Sequence, residues 1–598
     1  MITAKAKWVI DTNDANIPLM AETLGISPFT ANVLANRGIR TRNTAIKFLA
    51  PDLSHMHDAE QMQDMNKAAS LLLAAIDAKE KITVYGDYDV DGVTSTVILY
   101  KLIERLGGVP SYYIPQREEE GYGLNMSSVV KLADSGTKLL LTCDNGIAAH
   151  KEIAEAKRLG INVIVLDHHE PGFDTAEDGT RTEIIPEADA AVDPKRADCP
   201  YPFKALCAGG LAYKFAAYMY AHTEQPFDHE EEYAALAAIA TFCDVVDLID
   251  ENRIIAQRGL AMINAGKADN LGLHALMKAR SLDGKALTAF DIGFIIGPCI
   301  NATGRLEHAA FSVELFLAKA EQTAAEIASM LVGLNEERKA LTADACTAAL
   351  EALPETETLD KVLVLYNPKV HESIAGIVAG RIKDRVCRPV IMLTKSADGM
   401  VKGSARSIES YHMFEALNAN RDLFERFGGH SMAAGLTMAE GNVSILRERL
   451  NQSCTLIDDD FVPIVHTDGE LTLDEATFEL ATQLGILAPF GKANREPLFA
   501  AYNILAQPAE LIGTAKTTLR FTFETTSGRK IKGISFGKAE AFADMLREGY
   551  APDIVDSFMR GATKGLTVRL DIVFSLEINE YNGNTSVQLR ITDFRLHR

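Results

Sequence analysis

Paired cysteine is missing from this sequence: its eight cysteines, Cys143, Cys199, Cys207, Cys243, Cys299, Cys346, Cys387 and Cys454, are scattered, with no C-x-x-C pair to suggest zinc or a redox couple. They are expected to be reduced thiols. Long apolar runs are missing as well, since stretches such as 234–242 fall short of the roughly 18 residues a membrane helix needs. The opening MITAKAKWVIDTNDANIPLM carries two lysines but too few apolar residues before Asp11 for an export signal. Positive charge is in deficit, with 60 Lys plus Arg against 82 Asp plus Glu and a formal net charge of −22. That excludes a globally basic nucleic-acid binder and leaves room for a local basic groove. Hydrophobic residues at 47% and charged residues at 24% give no compositional case for a disordered or fibrous chain. The expectation is a soluble, cytoplasmic protein without a membrane anchor, and its 598 residues predict about three to five domains.

Apolar runs of strand length alternate with helical segments from Lys81 onward. KITVYGD precedes a helix at 94–106, SYYIP precedes one at 126–134, and KLLLTCD and NVIVLDHH bracket another at 149–159. Such alternation predicts a doubly wound parallel sheet, in which functional groups gather at the carboxyl ends of the strands. Three acidic or imidazole clusters occupy those ends: GDYDVDG, CDNG and DHHE. Residues 174–189 read as a surface loop, 230–242 as an Ala-rich helix, and 253–350 as a mostly helical connector. A second α/β unit follows, with strands at 362–366 and 389–394 around a helix at 374–383, and residues 457–460 mark the next boundary. Beyond it short alternating runs such as TTLRFTFET and LTVRLDIVFSLEI predict a small β barrel or sandwich.

Residues 461–598 carry 15 basic and 17 acidic side chains, against 45 and 65 in residues 1–460, so the β unit is the less acidic part. Lys516, Arg520, Arg529, Lys530 and Lys532 lie close together there, interleaved with Phe521 and Phe523. Cations for phosphates beside flat partners for bases are what a single-strand groove requires. An exposed strand face backed by a buried aromatic face has the same pattern, and on the run alone that plainer reading is preferred.

GDYDVDG places Asp87, Asp89 and Asp91 on one turn at a strand end. Carboxylates this close repel unless a cation neutralises them, so a hard divalent metal explains them better than three unpaired charges. A single Asp at a helix start is ordinarily a cap, and an isolated His-His pair is ordinarily a cap and a surface residue. Here Asp144 and Asp167-His168-His169 share the strand-end position, and the combination points to two divalent cations. Imidazole with carboxylate suits manganese, and carboxylate with water suits magnesium.

GDYDVDG, LLLTCDNGI, VLDHHE and the Asp244 of FCDVVD resemble the four metal motifs of the DHH phosphoesterase superfamily. LANRGIRTRNTAIKFLAPDL, IPQREEEGYGLN, GPCINATGR, VHESIAGIVAGRI, GSARS and FGGHSMAAGL are similar, in order, to segments of RecJ-type single-stranded-DNA exonucleases. LAPFGKANREPLF and SVQLRITDF are similar to parts of that family's OB-fold. The resemblance implies an N-terminal segment (1–75), a DHH catalytic domain with a doubly wound parallel sheet (76–250), a helical connector (251–355), a smaller DHH-associated α/β domain (356–456) and an OB-like β barrel (461–598). It implies metal ligation by Asp89, Asp91, Asp144, His168 and Asp244, with Asp87 as an extra or outer carboxylate, and a catalytic pair of His169 and Asp167 beside the scissile phosphate. Arg117, Tyr122, Asn301, Arg305, His371, Ser404, Arg406, Gly428, Gly429 and His430 become candidates for holding substrate, and Lys516 and Arg520 join them from the basic run. Gly428-Gly429 reads equally well as a plain turn.

The implied activity is 5′-to-3′ hydrolysis of single-stranded DNA to 5′-mononucleotides in repair and recombination, with two Mn2+ or Mg2+ ions. The terminal nucleotide would lie in the cleft between the two α/β units. A single-strand-binding protein or a helicase is the expected partner, and the chain is expected to be a monomer. The carboxy-terminal unit is expected to supply strand affinity rather than chemistry. The rivals are a phosphodiesterase acting on short oligonucleotides or cyclic dinucleotides, and a scaffold with a decayed site. Three departures from the family pattern stand out: Tyr85 before the first glycine of GDYDVDG, Cys299 where arginine is usual, and Ala493-Asn494-Arg495-Glu496-Pro497 in place of GNPEP. Cys299 would remove a cation able to hold a phosphate.

Overall fold

Apolar and β-branched side chains fill KITVY, LLLTC and NVIVL, and in the computed structural model these runs are central strands. The structure describes residues 6–117, 120–175, 181–354, 359–396, 399–562, 568–581 and 583–597. Glu118 and Glu119 of the IPQREEEGYGLN segment, residues 176–180 of the expected 174–189 loop, and Leu566-Thr567 of the last strand run lie outside the described residues.

Strands Lys81–Tyr85 (β1), Val109–Tyr113 (β2), Leu139–Cys143 (β3), Asn162–Leu166 (β4) and Ala190–Val192 (β5) form one sheet, all parallel, in the order β2-β1-β3-β4-β5. The intervening helices are Val90–Arg105 (α1), Met126–Asp134 (α2) and His150–Arg158 (α3), followed by Ala208–Ala221 (α4) and Glu230–Cys243 (α5). Ile82, Val84, Leu141 and Leu166 pack with α1, α4 and α5 on one face. Tyr85, Leu140, Val163 and Val165 pack with α2 and α3 on the other. Burial on both faces is why these strands are continuously apolar rather than alternating. The chain runs from β1 outward to β2 and then returns to the far side of β1 for β3, so the order reverses between β1 and β3. A crevice at their carboxyl ends is where such sheets place ligands.

The described residues divide into two compact units, one of residues 1–45, 340–488 and 496–598 and the other of residues 46–339 and 489–495. The parallel sheet belongs to the latter. Residues expected to form a connector share its core: Ile300, Val313, Leu315 and Leu331 are buried in the cluster that holds Val84 and Leu141. The expected loop at 174–189 is instead partly an antiparallel hairpin, Gly172–Thr175 with Arg181–Ile184. Phe173 pairs with Glu183 and Asp174 with Thr182, and Phe173 is exposed, so the hairpin adds nothing to a core and its composition suggested a loop.

In the other unit, Leu363–Tyr366 (β6), Val390–Lys395 (β7), Val401–Arg406 (β8), Phe424–Gly429 (β9) and Ala433–Met438 (β10) form a mixed sheet in the order β9-β10-β8-β7-β6. A seven-stranded sheet between Gly469 and Leu596 follows, and the pairing of Ala506 with Phe523 closes it on itself. Its longest hairpin is Val568–Tyr581 with Asn584–Leu596.

Candidate metal centre

The carboxyl ends of β1, β3, β4 and β5 each release a carboxylate. Register aligns Cys143 with Leu166 and Leu166 with Val192, so Asp144, Asp167 and Asp193 leave consecutive strands side by side. Asp89 caps α1, accepting from the Gly92 N–H at 3.1 Å. Asp91, in the first turn of α1, is fully buried and accepts from the first amides of α4, Ala208 N–H at 2.8 Å and Gly209 N–H at 2.7 Å. The positive end of α4 therefore faces this carboxylate. Asp144 holds φ 64°, a left-handed conformation that Asp tolerates better than most residues and that turns the chain sharply at the strand end.

His168 joins these groups. Its Nε2 lies 3.0 Å from Asp144 Oδ1 and 3.5 Å from Asp91 Oδ2, and its Nδ1 lies 4.0 Å from Asp244 Oδ2 at the carboxyl end of α5. Three sets of ligand atoms each close within 4.8 Å: Asp91 with His168 and Asp244, Asp87 with Asp89 and Asp144, and, bridging them, Asp144 with His168 and His169. The contact between His168 and Asp144 joins the sets, so the donors suit a pair of neighbouring cations. Burial, and then the neighbouring carboxylates, push Asp87, Asp91 and Asp144 far above the usual carboxylate range and Asp244 up to about 7. Burial, with His169 close by, pulls His168 down to about 3, the neutral form a metal ligand requires. Asp87 Oδ1 is buried without any hydrogen-bond partner. An orphaned carboxylate oxygen among mutually repelling acids fits hard divalent cations, and the residues present match that group.

His169 sits beside this cluster in a different environment. Asp167, itself buried, accepts at Oδ1 from His169 Nδ1 at 2.7 Å and at Oδ2 from the Ile147 N–H at 2.9 Å. Burial opposes charge on His169, but Asp167 outweighs it and holds the imidazole up at about 9. The Tyr122 hydroxyl donates to the Asp144 carbonyl at 2.9 Å, which leaves its oxygen to accept from His169 Nε2 at 3.0 Å. Arg117 lies over the Tyr88 ring, 5.0 Å from its centre, and its charge reaches Asp87. Arg305 approaches the same tyrosine, whose carbonyl packs against Gly304 on helix Gly297–Leu306, the helix that also carries Asn301. Arg117, Tyr122 and Arg305 thus gather around the acidic cluster.

His371, Ser404, Arg406, Gly428, Gly429, His430, Lys516 and Arg520 lie in the other unit. Five of them converge there: Ser404 pairs across the sheet with Gly435 and Gly435 with Gly428, while Arg406 pairs with Ala433, next to Gly429 and His430. Gly429 adopts φ 148°, and a Cβ there would meet the Ala433 carbonyl at 2.4 Å, so the glycine is required by packing and conformation together. His371 caps the turn Glu372–Ile374, accepting from Ser373.

The basic and aromatic run departs from the single-strand groove pattern. Phe521 and Phe523 are fully buried and stack on one another, centroids 5.6 Å apart, because they point into the barrel from alternate positions of one strand. They are core residues, not platforms for bases. Arg520 pairs with Glu510, Lys516 donates to the Leu511 carbonyl at 3.3 Å, and Arg529 braces the Leu473 and Ala476 carbonyls. Cys299 also reads differently in place. It is fully buried, donating to the Ile295 carbonyl at 3.2 Å with Asn335 beside it, so it faces helices and leaves no gap in a phosphate site. Tyr85 is buried behind the site, where its hydroxyl donates to the Gly123 carbonyl at 3.1 Å and supports the Tyr122 loop.

Asp193 is absent from the sequence-derived site. It is fully buried, its Oδ2 has no partner, and burial together with Asp167 pushes it up to about 8. The signal was weak: strand Ala190–Val192 has three residues and DPK resembles an ordinary turn. Gly435 was missed because only pairing to β8 and β9 brings it to Ser404.

Residues 81–241 match the DHH family, N-terminal domain, residues 359–455 the DHHA1 domain, and residues 467–593 the RecJ OB domain. The chain is 35% identical over 597 residues to the single-stranded-DNA-specific exonuclease RecJ of Bacillus subtilis, covering 99% of this chain and 71% of that protein. It is 33% identical to the RecJ of Haemophilus influenzae, covering 91% of this chain and 93% of that one. The crystal structure of RecJ from Thermus thermophilus in complex with Mn2+ superposes with a TM-score of 0.80 at 26% identity, over 99% of this chain and 79% of that chain. Its counterpart with Mg2+ gives 0.73, over 99% and 78%. With three domains matched in order and identity sustained along the whole length, this chain belongs to the RecJ family.

Proposed function

We propose that this chain is a metal-dependent exonuclease that hydrolyses single-stranded DNA from the 5′ end and releases 5′-mononucleotides in repair and recombination. The carrying observation is the group of ligand sets joined through Asp144 and His168, with an orphaned Asp87 oxygen, at the switch point of the sheet. Asp89, Asp91, Asp144, His168 and Asp244 hold two Mn2+ or Mg2+ ions, with Asp87 completing the second set. When bound, the ions supply a water of lowered pKa and offset charge on the attacked phosphoryl group.

The protein's own groups do the rest. Asp167 fixes the His169 ring and keeps it protonated at neutral pH, so that Nε2–H, resting on Tyr122, is ready to donate to the leaving or a nonbridging oxygen. Arg117, Asn301 and Arg305 hold the nucleotide next to the cluster. His371, Ser404, Arg406 and His430 hold phosphate, with Gly428 and Gly429 exposing backbone for close approach. Lys516 and Arg520 contribute charge to strand affinity. The protein works as a cytoplasmic monomer alongside a single-strand-binding protein or a helicase, a point that sedimentation and pull-down measurements address.

The test is a time course on a single strand labelled at either end, with Mg2+ or Mn2+. Early release of the 5′ label as mononucleotide is expected. Equal loss from both ends removes the polarity, turnover confined to dinucleotides favours the phosphodiesterase reading, and no metal-dependent turnover favours a scaffold. Among the described residues no helix is long and apolar enough to cross a membrane.

A further inference from the structure

Asp244 stands at the end of α5, and the chain leaves it through Val245 at φ 56°. A β-branched residue in the left-handed region crowds its own carbonyl, and such backbone persists only where its surroundings hold it. The same loop turns again at Asp250, φ 46°.

Much of what holds this loop comes from residues 489–495. The Leu248 N–H donates to the Lys492 carbonyl at 2.9 Å, and the Lys492 ammonium lies 3.2 Å from Asp247 Oδ1. Gly491 packs so closely that a Cβ there would lie 2.7 Å from Leu248 Cδ1. From the next helix, buried Arg253 donates to the Phe48 carbonyl at 2.8 Å, lies over the Phe48 ring at 3.8 Å and reaches the Pro489 carbonyl at 3.5 Å. The segment is also closed on itself. Gly491 and Asn494 exchange backbone hydrogen bonds of 2.9 and 3.1 Å, and the buried Asn494 side chain donates to the Pro489 carbonyl at 2.8 Å. It is therefore a preformed wedge against Asp247 and Leu248. In sequence it falls inside the RecJ OB match, yet it packs as part of the unit that carries the metal ligands.

We propose that residues 489–495 position Asp244 for its cation, with Gly491 and Lys492 acting through Leu248 and Asp247. The inference rests on the reading of Asp244 as a metal ligand. It changes the role expected of the carboxy-terminal domain, which then contributes to metal binding as well as to strand affinity. A purely structural role for the wedge would lower thermal stability and leave the metal site of the folded chain as it was.

The experiment is Mn2+ titration of the metal-stripped full chain, without substrate, for wild type, Gly491→Val, Lys492→Ala, Lys492→Arg and Asp244→Ala, with metal-free strand binding as a check on folding. Gly491→Val pushes on Leu248 and is expected to weaken Mn2+ binding at least about tenfold, the scale on which residues supporting metal ligands act. Lys492→Ala gives a test of sign. Removing a cation near the ligands tightens Mn2+ binding if only its field matters, whereas loss of positioning weakens it, here by about threefold, the scale of a part-exposed ion pair. Lys492→Arg should restore wild-type affinity. Should Gly491→Val fail to fold, the sign of the Lys492→Ala shift decides. Tighter or unchanged Mn2+ binding in Lys492→Ala, with Asp244→Ala strongly weakened, overturns the positioning role and leaves the ligand reading intact. Unchanged Mn2+ binding in Asp244→Ala overturns the ligand reading itself.

Discussion

At the carboxyl ends of β1, β3 and β4, Asp87, Asp91, Asp144 and Asp167 are almost wholly buried, and most of them are pushed up by burial and by one another. Across β8, β10 and β9 of the other unit the side chains are Ser404, Arg406 and His430, partly or fully open to solvent, with glycines between them. Both are surfaces for charge, but their costs differ. Desolvated carboxylates of one sign raise the free energy of the folded chain until a cation arrives, whereas a half-buried, hydrogen-bonded arginine beside bare backbone costs little when nothing is bound. On the proposed function, the first surface would need its ligand for chemistry and the second would only recognise one.

The sharpest way to break that contrast is to remove a ligand from the buried set. Asp144→Ala and His168→Ala should each lower kcat by at least about a thousandfold while circular dichroism is unchanged, since Lewis-acid stabilisation of the transition state is lost. Turnover within a few-fold of wild type at saturating metal would refute the two-cation assignment.

Arg406→Ala tests the open surface. It should raise KM for a 5′-phosphorylated strand about ten- to hundredfold, the value of a hydrogen bond to a charged group, and leave kcat within a few-fold. A fall in kcat with KM unchanged would move Arg406 into the chemistry.

Cys299→Arg shows what burial alone decides. With Cys299 packed among helices, the arginine would be an unpaired buried charge costing about 3–5 kcal/mol, and strand affinity should not gain salt dependence. A stable variant with tighter, more salt-dependent binding would place residue 299 at substrate after all.

Asp193→Asn probes the acidic surface through pH. The folded pKa of Asp193 is raised to about 8 from 3.8. The folded chain therefore binds the extra proton, and its stability falls as pH rises from the lower value through the upper one. The variant should melt a few degrees higher than wild type above pH of about 8 and alike near pH of about 4, read on metal-stripped protein. A gain of equal size at both ends would mean packing and not ionisation. Lys516→Ala and Arg520→Ala should have the smallest effect, each changing strand affinity by no more than about threefold, because Arg520 is already committed to Glu510.

Alternation of apolar runs with helices was enough to determine the parallel sheet and to put GDYDVDG, CDNG and DHHE at strand ends, because strand period and connection length are local properties. Residue types alone also indicated a cation, since Asp87, Asp89, Asp91, Asp144 and His168 cannot be brought together cheaply without one. What the chain order could not reveal was direction and partnership. The buried face of Phe521 and Phe523 is the reading preferred for their run and is borne out, whereas Cys299 faces Asn335, 36 residues away in sequence. Asp193 becomes part of the acidic row only when β5 pairs with β4, and Gly491 meets Leu248 across more than two hundred residues. Those contacts depend on long-range packing, whose free energy is shared among many residues and leaves no period in the sequence, and it was the tertiary structure that decided them.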